Sequence, residues 1–477
     1  MANPDLHWQP GWQLARQIAA GALSPVTLVE HCFARIDRLE PELHALAALR
    51  RDEAVAEALE AERKIAAGEP LGPLHGVPVL MKDEAWVGGT VASAGSLLLK
   101  DFLPEADGTV AARLRAAGAI VLAMTNTPEF MGFSRGANRL RPETRNPWDT
   151  RRVPGASSSG TGAGLAAGYA PLGIGSDGGG SIRIPSSSCG LFGLFPTPGR
   201  VPDTGSFSYA GIASLGPMTR DVRDAAMLLQ AIAGPDRSDP KADGFPVEDF
   251  LSELDGGVAG MRFAWSPDYG HVSVDKDVLR QVRSCAAGLE EQGGTITQTD
   301  VDFGDPWPWL VRVINGQIAS GEASSWLAGP TMQSLLSAPG SRDLLCGYTL
   351  DHLDNAPPVD ERSQQEARAW VAGLKAKFAT VFEHYDAVLS PTMPRVSPIL
   401  PEDPDEDPYP ERNCGTYFTA TCNIAEIPAA SYPAGLVKGL PVGLQVVGPP
   451  GSEARILRIC RALERARPFT AHPMLAG

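Results

Sequence analysis

The most constraining feature of this sequence is an interior stretch without charge, which runs from Val153 to Ser176. Such a stretch crosses a membrane, links two domains or lies inside the fold. Its serines and glycines make it too polar and too easily broken for a membrane span. A flexible Gly/Ser linker is one alternative, since ten of the 26 residues from 155 to 180 are glycine. However, Leu165 and Tyr169 interrupt the small residues and favour a buried segment.

Short apolar runs typical of buried strands alternate with segments of helical periodicity. Ser24 suits the N-cap position of one predicted helix, and Pro25 suits its first turn. Such alternation is typical of a layered α/β fold. The chain has 477 residues, which is enough for about three average domains or for one large α/β domain. Further helices are predicted at 52–66, 109–117 and after Ser452, and strands at 77–81, 119–124, 387–390, 429–432 and 443–447.

Two segments depart from this alternation. Residues 235–375 contain few strand signals and several helical ones, so we expect a mostly helical insertion that shapes the substrate site. Its tryptophan-bearing part, 305–332, is expected either to line an apolar pocket or to pack within the core. Residues 401–411 are acidic and rich in proline, which predicts a surface loop.

The charge balance limits the possible partners. The chain has 41 Lys and Arg against 56 Asp and Glu, a net charge of −15. Nucleic-acid binding depends on clustered Lys and Arg, and anionic membranes repel an acidic chain, so we expect neither partner. No run of about 18 apolar residues is present, and the first residues lack the basic and apolar regions of a secretory signal.

The cysteines give a further indication of the compartment. They are odd in number and scattered, and no Cys-x-x-Cys pair occurs, so we expect reduced thiols that fill the core of a cytoplasmic protein. Because the sequence also lacks a His-Glu-x-x-His motif, we expect no metal, and nothing suggests a cofactor. The seven cysteines are Cys32, Cys189, Cys285, Cys346, Cys414, Cys422 and Cys460.

The uncharged stretch is followed by the run Gly178-Gly179-Gly180-Ser181. Glycines allow successive backbone N–H groups to converge on one point and hold an anion. Acyl transfer needs such donors for the oxyanion, next to a nucleophile such as serine. A dinucleotide site is less favoured. Gly173, Gly175 and Gly178 fit the pattern G-x-G-x-x-G, but no continuous hydrophobic strand precedes them.

A serine nucleophile also needs a base, and no histidine lies near Ser181 in the sequence. Nor is there a Gly-x-Ser-x-Gly elbow around this serine. Lys82 follows the apolar run at 77–81, and burial would lower the pKa of a lysine and provide a neutral amine near neutral pH. The alternative is a solvated lysine at the end of a strand.

Together these motifs resemble the amidase signature family, which includes fatty acid amide hydrolase, malonamidase and the A-type chain of glutamyl-tRNA amidotransferase. The resemblance covers nearly all of residues 1–477 and is densest in a signature core at 70–205. It implies one α/β/α domain, with a large, mixed, twisted sheet flanked by helices. The matching motifs are Gly76-Val-Pro-Val-Leu-Met-Lys-Asp83, Thr125-Asn-Thr-Pro-Glu-Phe130, Arg145-Asn-Pro-Trp148, Pro154-Gly-Ala-Ser-Ser-Ser159, Gly175-Ser-Asp-Gly-Gly-Gly-Ser-Ile-Arg-Ile-Pro185, Ser390-Pro-Thr-Met-Pro394 and Leu440-Pro-Val-Gly-Leu-Gln-Val-Val-Gly448.

The resemblance implies a Ser–cis-Ser–Lys triad. Ser181 matches the nucleophile, Ser157 matches the bridging serine that a cis peptide holds, and Lys82 matches the base. The other implied residues are Gly178, Gly179, Gly180 and Ser181 for the oxyanion hole, Met131 and Ser157 for substrate binding, and Asp177 and Arg183 for support of the loop.

Departures from the family pattern are small. Gly155-Ala-Ser-Ser-Ser-Gly160 stands where Gly-Gly-Ser-Ser-Gly-Gly is usual. Ala123 and Thr127 replace the more usual Lys and Met before Pro128, and we expect these two changes to affect packing more than catalysis.

The resemblance implies a hydrolase that cleaves amide C–N bonds of small, aryl or apolar amides. An aryl carbamate (urethane) or urea hydrolase of the same mechanism is an alternative, as is an A-type amidotransferase chain that supplies ammonia to a partner-bound tRNA. A scaffold without activity is disfavoured because Lys82, Ser157 and Ser181 are all present. We expect a monomer or homodimer whose partner is a small-molecule amide or carbamate.

Overall fold

The sheet that organises the molecule has eleven strands in the part of the chain that the structure describes, and helices flank it. The computed structural model describes residues 6–207, 211–320, 330–355, 357, 359–409 and 416–476. The strands are β1 (Leu46–Leu49), β2 (Pro78–Lys82), β3 (Ile120–Thr125), β4 (Leu172–Asp177), β5 (Phe192–Phe195), β6 (Ser214–Thr219), β7 (Arg262–Trp265), β8 (Thr295–Gln298), β9 (Ala387–Pro391), β10 (Ala429–Val437) and β11 (Leu440–Val447).

Helices connect most of these strands, and a few short 3-10 turns accompany them. The helices are α1 (Gly11–Ala19), α2 (Pro25–Leu43), α3 (Arg51–Ala66), α4 (Thr109–Ala116), α5 (Ser159–Ala166), α6 (Arg183–Cys189), α7 (Val222–Ile232), α8 (Lys276–Glu290), α9 (Trp307–Ser320), α10 (Pro330–Ser337), α11 (Gly347–Asp354), α12 (Glu361–Phe382), α13 (Thr419–Ala425) and α14 (Glu453–Ala466).

The sheet is mixed, as the resemblance implied. Its strand order is β1-β3-β2-β4-β6-β5-β10-β11-β9-β7-β8. Strand β2 runs parallel to both β3 and β4, whereas β4 and β6 are antiparallel. Lys82, the last residue of β2, pairs with Thr125 at the end of β3. Since every residue of β2, β3 and β4 is buried, these strands deliver Lys82 to the interior.

The elements predicted from apolar periodicity are confirmed, with small shifts at their ends. Ser24 Oγ accepts a hydrogen bond of 3.1 Å from the Thr27 N–H, so it caps α2 as predicted. Ser452 precedes α14 but does not cap it through its side chain, because its Oγ donates to the Pro449 carbonyl at 2.6 Å.

The uncharged stretch is a buried helix followed by a buried strand, so the linker alternative is wrong. A Cβ at Gly160 would lie 2.1 Å from the Ala45 carbonyl oxygen, so α5 can pack this closely only with glycine there. Gly173 and Gly175 lie within β4 rather than in a loop. A Cβ at Gly175 would lie 2.7 Å from Met218 Sδ. These glycines allow close packing, and they do not form the loop that a dinucleotide site needs.

The segment 235–375 is mostly helical, and it also contributes β7 and β8 to one edge of the sheet. Trp326 of this segment lies outside the described residues. The loop predicted at 401–411 has neither helix nor strand over 401–409, and its last two residues are outside the described range. Six cysteines are buried free thiols, and Cys414 lies outside the described range. Among the described helices none is long and apolar enough to cross a membrane.

Candidate active site

Lys82 is fully buried at the end of β2. Its Nζ forms hydrogen bonds with two hydroxyl groups, Ser157 Oγ at 2.8 Å and Ser176 Oγ at 2.7 Å. The alternative of a solvated lysine is therefore wrong. Ser176 had no predicted role, although its place in β4, beside the strand that carries Lys82, puts it within reach.

The surroundings of Lys82 disfavour its ammonium form. Burial is the main cause and lowers the pKa of Lys82, while the carboxylates of Glu84 and Asp177 act in the opposite direction. Glu84 Oε1 lies 3.5 Å from Lys82 Nζ. A lysine that loses its proton at a lower pH than usual can accept one from a hydroxyl, as a general base must.

Ser157 is the buried partner of Lys82, with 1% of its surface exposed. The peptide bond between Ala156 and Ser157 is cis, as the resemblance implied. The Ser157 carbonyl accepts a hydrogen bond of 3.0 Å from Thr127 Oγ1. Thr127 therefore fixes the backbone of a candidate catalytic residue, so its role extends beyond packing.

Ser158 joins the three parts of the site. Its N–H donates to the Ser181 carbonyl at 3.2 Å. Its Oγ donates to the Ser176 carbonyl at 3.2 Å and accepts from the Ser176 N–H at 3.3 Å. The structure thus brings together the segments that carry Ser157, Ser176 and Ser181.

Ser181 follows the three glycines, just before α6, and is partly exposed. Gly180 has a φ of +131°, and a Cβ there would lie 2.2 Å from Thr419 Oγ1, so this turn requires glycine. Thr419 Oγ1 also donates to the Gly179 carbonyl at 2.6 Å. These contacts fix the peptide unit between Gly179 and Gly180.

The glycine loop differs from the expectation at one position. The Gly180 N–H donates to Asp177 Oδ1 at 2.6 Å, so a carboxylate already occupies the donor that was expected to face the oxyanion. The N–H groups of Gly178, Gly179 and Ser181 remain as the candidate donors for that role.

Asp177 and Arg183 form a fully buried, two-pronged ion pair. Arg183 Nε donates to Asp177 Oδ2 at 2.9 Å, and Nη2 donates to Oδ1 at 3.0 Å. Burial by itself would raise the pKa of Asp177, but Arg183 and the hydrogen bonds of Asn423 and Gly180 hold this pKa below its ordinary value. The two residues that the resemblance implied as supports of the loop are therefore paired with each other.

Three residues that hold Arg183 had no predicted role. Arg183 Nη2 donates to Asn423 Oδ1 at 2.6 Å, and Nη1 donates to Gln445 Oε1 at 3.0 Å and to the Thr419 carbonyl at 2.9 Å. A buried guanidinium has five N–H groups to satisfy. In the sequence, these residues could have been noticed as polar side chains within the otherwise largely apolar segments that form α13 and β11.

Met131 lies in a short turn whose backbone is unusual. Phe130 and Met131 have φ angles of 50° and 58°, which side-chain-bearing residues rarely adopt. Met131 packs in an apolar cluster with Phe207 and with Met332 and Leu345 of the helical segment. The structure therefore places Met131 at the junction between the signature core and the segment 235–375.

Glu129 ties the same turn to α11. Its Oε2 accepts hydrogen bonds from the Cys346 N–H at 2.8 Å and from Thr349 Oγ1 at 2.6 Å. Its own N–H donates to the Tyr348 hydroxyl at 2.7 Å. The helical segment is thus attached to the Met131 turn by polar as well as apolar contacts.

Two tryptophans in the described part of the helical segment, Trp309 and Trp370, pack with each other and with the core. Trp309 of α9 stacks on Trp370 of α12, with ring centroids 5.5 Å apart. Both also pack against an apolar cluster that contains Phe303. Leu310 is the residue of α9 that reaches the glycine loop, since a Cβ on Gly179 would lie 3.4 Å from Leu310 Cδ2.

The similarity of this chain to known proteins extends over the whole fold. The sequence model of the Amidase family matches residues 27–457. An acylamidase of Rhodococcus erythropolis is 33% identical over 475 residues, which are 98% of each chain. The A-type chain of the glutamyl-tRNA(Gln) amidotransferase of Geobacillus kaustophilus (strain HTA426) is 34% identical over 93% of this chain and 94% of that protein.

Comparison of the fold with solved structures also finds similar amidases. The crystal structure of a bacterial aryl acylamidase of the amidase signature family superposes with a TM-score of 0.88 and 28% identity, covering 99% of both chains. The chain is an amide-hydrolysing enzyme, and it belongs to the amidase signature family.

Proposed function

We propose that this amidase cleaves carboxylic amides through an acyl-enzyme on Ser181, with Ser157 and Lys82 as its proton relay. The observation that carries the proposal is the 2.8 Å hydrogen bond between the buried Lys82 Nζ and the buried Ser157 Oγ. An amine whose pKa is lowered by burial, bonded to a hydroxyl, suits proton transfer near neutral pH.

In acylation, Ser181 Oγ attacks the carbonyl carbon of the amide and gives its proton to Ser157 Oγ, whose own proton passes to Lys82 Nζ. The N–H groups of Gly178, Gly179 and Ser181 hold the oxyanion. The relay then runs in reverse and protonates the leaving nitrogen, so the C–N bond breaks and an ester on Ser181 remains. Water, deprotonated through the same relay, hydrolyses this ester and releases the carboxylic acid.

The substrates are small amides with an aryl or apolar group. The approach of Leu310 to Gly179, two residues before the reacting serine, supports this preference, as does the apolar cluster that surrounds Met131, the residue implied for substrate binding. The names of two similar proteins, acylamidase and aryl acylamidase, point to the same class. The net charge of −15 suits an uncharged small-molecule substrate rather than a nucleic acid. As part of the same proposal, the enzyme is a cytoplasmic monomer or homodimer.

Aryl carbamates and ureas are the alternative substrates, because the same serine can attack their carbonyl carbon by the same steps. A role as an A-type amidotransferase chain is supported by the 34% identity to such a protein. That role requires partner chains, whereas a hydrolase is active alone. Turnover of amides by the isolated chain, with no other protein co-purifying, distinguishes the two.

The experiment that tests the proposal measures kcat/KM of the purified chain on a short acyl amide, an anilide, an aryl carbamate, a urea and an amino-acid amide. We expect the highest values on the anilide and the apolar acyl amide. Lys82→Ala should lower the rate on amides at least ~10²–10⁴-fold, as for loss of a general base. The loss should be smaller on esters, because an ester oxygen leaves more readily without prior protonation than an amide nitrogen does. Near-wild-type amide turnover in Lys82→Ala would remove lysine from the mechanism.

A further inference from the structure

Glu84 lies two residues beyond Lys82, and its carboxylate is buried beside the amine of that residue. The side chain is 1% exposed. Its Oε1 is 3.5 Å from Lys82 Nζ and has no hydrogen-bond partner among the residues that the structure describes. Buried carboxylate oxygens are nearly always hydrogen-bonded, so an oxygen left open next to a candidate base needs an explanation.

We propose that Glu84 is a positioning residue: it accepts a hydrogen bond from the N–H of Lys82 that faces neither serine, and it stabilises the ammonium that forms when the relay protonates the amine. The inference rests on the proposed function above, in which Lys82 is the base. It adds a fourth polar side chain to the relay of Ser181, Ser157 and Lys82.

The number of donors on Lys82 supports this role. A neutral amine has two N–H groups and one lone pair, and its two close partners are Ser157 and Ser176. As a base, Nζ turns its lone pair to Ser157 Oγ and donates one N–H to Ser176 Oγ, so its second N–H is left for another acceptor. When Nζ takes the proton of Ser157 Oγ, this N–H belongs to an ammonium and becomes a stronger, charge-assisted donor. Glu84 Oε1 is an open acceptor, and a shift of a few tenths of an ångström would bring it within hydrogen-bond distance.

The negative charge of Glu84 also favours the protonated form of Lys82. An ammonium that forms in a buried site lacks the hydration it would have in water. A carboxylate at 3.5 Å offsets this loss, so it favours the state that exists after each proton transfer to Lys82. The same proton later leaves Lys82 for the departing nitrogen, and Glu84 itself neither gains nor loses one.

Two other carboxylates must be separated from Glu84: Asp177, whose charge also acts on Lys82, and Asp83, the next residue in the sequence. Asp177 is committed to its pair with Arg183. Asp83 accepts a hydrogen bond of 2.9 Å from the Ser93 N–H and lies 3.6 Å from Arg141 Nη1. Burial raises the pKa of Asp83 to about 6, so its titration can overlap the pH range of activity. Asp83 is therefore the matched control.

The test compares the pH dependence of kcat/KM on one amide for wild type, Glu84→Gln and Asp83→Asn. We expect Glu84→Gln to lower the pKa of Lys82 and so to move the acidic limb of the kcat/KM profile to lower pH. The shift should be about 1–3 units, the usual effect of one opposite charge nearby. The rate at the high-pH plateau should fall, because Lys82 becomes a weaker base. Asp83→Asn should leave the part of the limb that belongs to Lys82 in place. An unchanged limb in Glu84→Gln, or its displacement by Asp83→Asn instead, would overturn the proposal.

Lys82→Ala in the same assay separates this inference from the proposed function. Retained amide turnover in Lys82→Ala would refute the base role itself, whereas an inactive Lys82→Ala with a wild-type limb in Glu84→Gln would refute Glu84 alone. If Glu84→Gln does not fold, urea unfolding of Lys82→Met and of Lys82→Met/Glu84→Gln replaces it. The double variant should be the more stable, because methionine leaves Glu84 without a cation. Equal stability would contradict the coupling.

Discussion

At the scale of single residues, three identical side chains in consecutive positions have different surroundings. Ser157 Oγ bonds to Lys82, and Ser158 Oγ bonds to the backbone of Ser176. Ser159 Oγ is buried and has no hydrogen-bond partner within the described part of the chain. Ser159 is therefore a matched control for Ser157, while Ser158 has a role of its own in holding Ser176 beside Lys82.

Ser157→Ala should lower kcat by at least ~10²-fold with little change in KM, because the relay is used in the transition state. Ser159→Ala should leave kcat within a few-fold of wild type, and Ser158→Ala should fall between the two. Steady-state kinetics on an amide checks this, with thermal melts to confirm folding. Equal and mild effects at the three positions would mean that Lys82 acts on Ser181 without a bridge.

Ser181→Ala should abolish both amide turnover and covalent labelling by a fluorophosphonate, since no acyl or phosphonyl ester can then form. Mass spectrometry of the labelled wild type should identify the peptide that contains Ser181. Labelling of another serine in active enzyme would refute the assignment of the nucleophile. Ser186, which lies further along in α6, offers a buried serine whose alanine variant should still be labelled.

At the scale of helices and strands, local sequence patterns were sufficient to predict the elements that form by burying apolar side chains. The runs that became β2, β3 and β9 could be predicted because each is mainly apolar and buried on both faces. Lys82 could be placed because it ends such a run. Partners that come from distant elements could not be predicted, since no local pattern relates Arg183 to Asn423 or Gln445.

The direction of the N–H groups in the glycine loop could not be predicted from the sequence either. The sequence indicated that Gly178 to Ser181 present several N–H groups, but which of them face a substrate depends on the turn. Asp177 lies three residues before Gly180 and takes its N–H. Choosing between these two uses of one donor requires the backbone angles, such as the φ of +131° at Gly180.

Helix α9 should influence which amides are cleaved, because Leu310 is the side chain that approaches Gly179. Leu310→Ala should raise kcat/KM for bulky acyl or aryl groups relative to small ones, measured over a series of anilides of increasing acyl length. Leu374→Ala in α12 removes the same side chain from the same apolar cluster and serves as the control. Both variants should lose about 2–5 kcal/mol of stability. An identical substrate ranking in the two would place α9 outside the substrate site.

At the scale of the whole molecule, α7 is joined to α1 and to α14 through two carboxyl groups, that of the buried Asp224 and that of the half-buried Glu464. Asp224 of α7 accepts hydrogen bonds of 2.7 Å from the N–H groups of both Gly11 and Trp12, at the start of α1. Glu464 of α14 accepts a hydrogen bond of 2.9 Å from the Val222 N–H, at the start of α7. The N-terminal and C-terminal helices are thereby fastened to the same element.

These carboxyl groups resist ionisation. Burial, with the nearby charge of Asp221, raises the pKa of Asp224 well above its ordinary value and that of Glu464 to about 7. A carboxyl whose pKa is raised by folding contributes stability that is complete below its unfolded pKa and is lost as the pH rises through its folded pKa. The free energy of unfolding should therefore fall from mildly acidic pH towards pH 8.

Glu464→Gln should reduce this loss of stability at higher pH, because an amide keeps an acceptor for the Val222 N–H without the half-buried charge. Urea unfolding at several pH values should show the variant more stable than wild type by about 1–2 kcal/mol at pH 8. A change of one pKa unit corresponds to about 1.4 kcal/mol, and the loss of the pairing with Arg461 offsets part of the gain. The difference should shrink as the pH falls below 7 and Glu464 takes up its proton. Glu290→Gln, an exposed carboxylate paired with Arg283, should follow the wild-type curve throughout. A Glu464→Gln variant whose advantage is the same at pH 5 and pH 8 would show that Glu464 stays ionised in the folded protein.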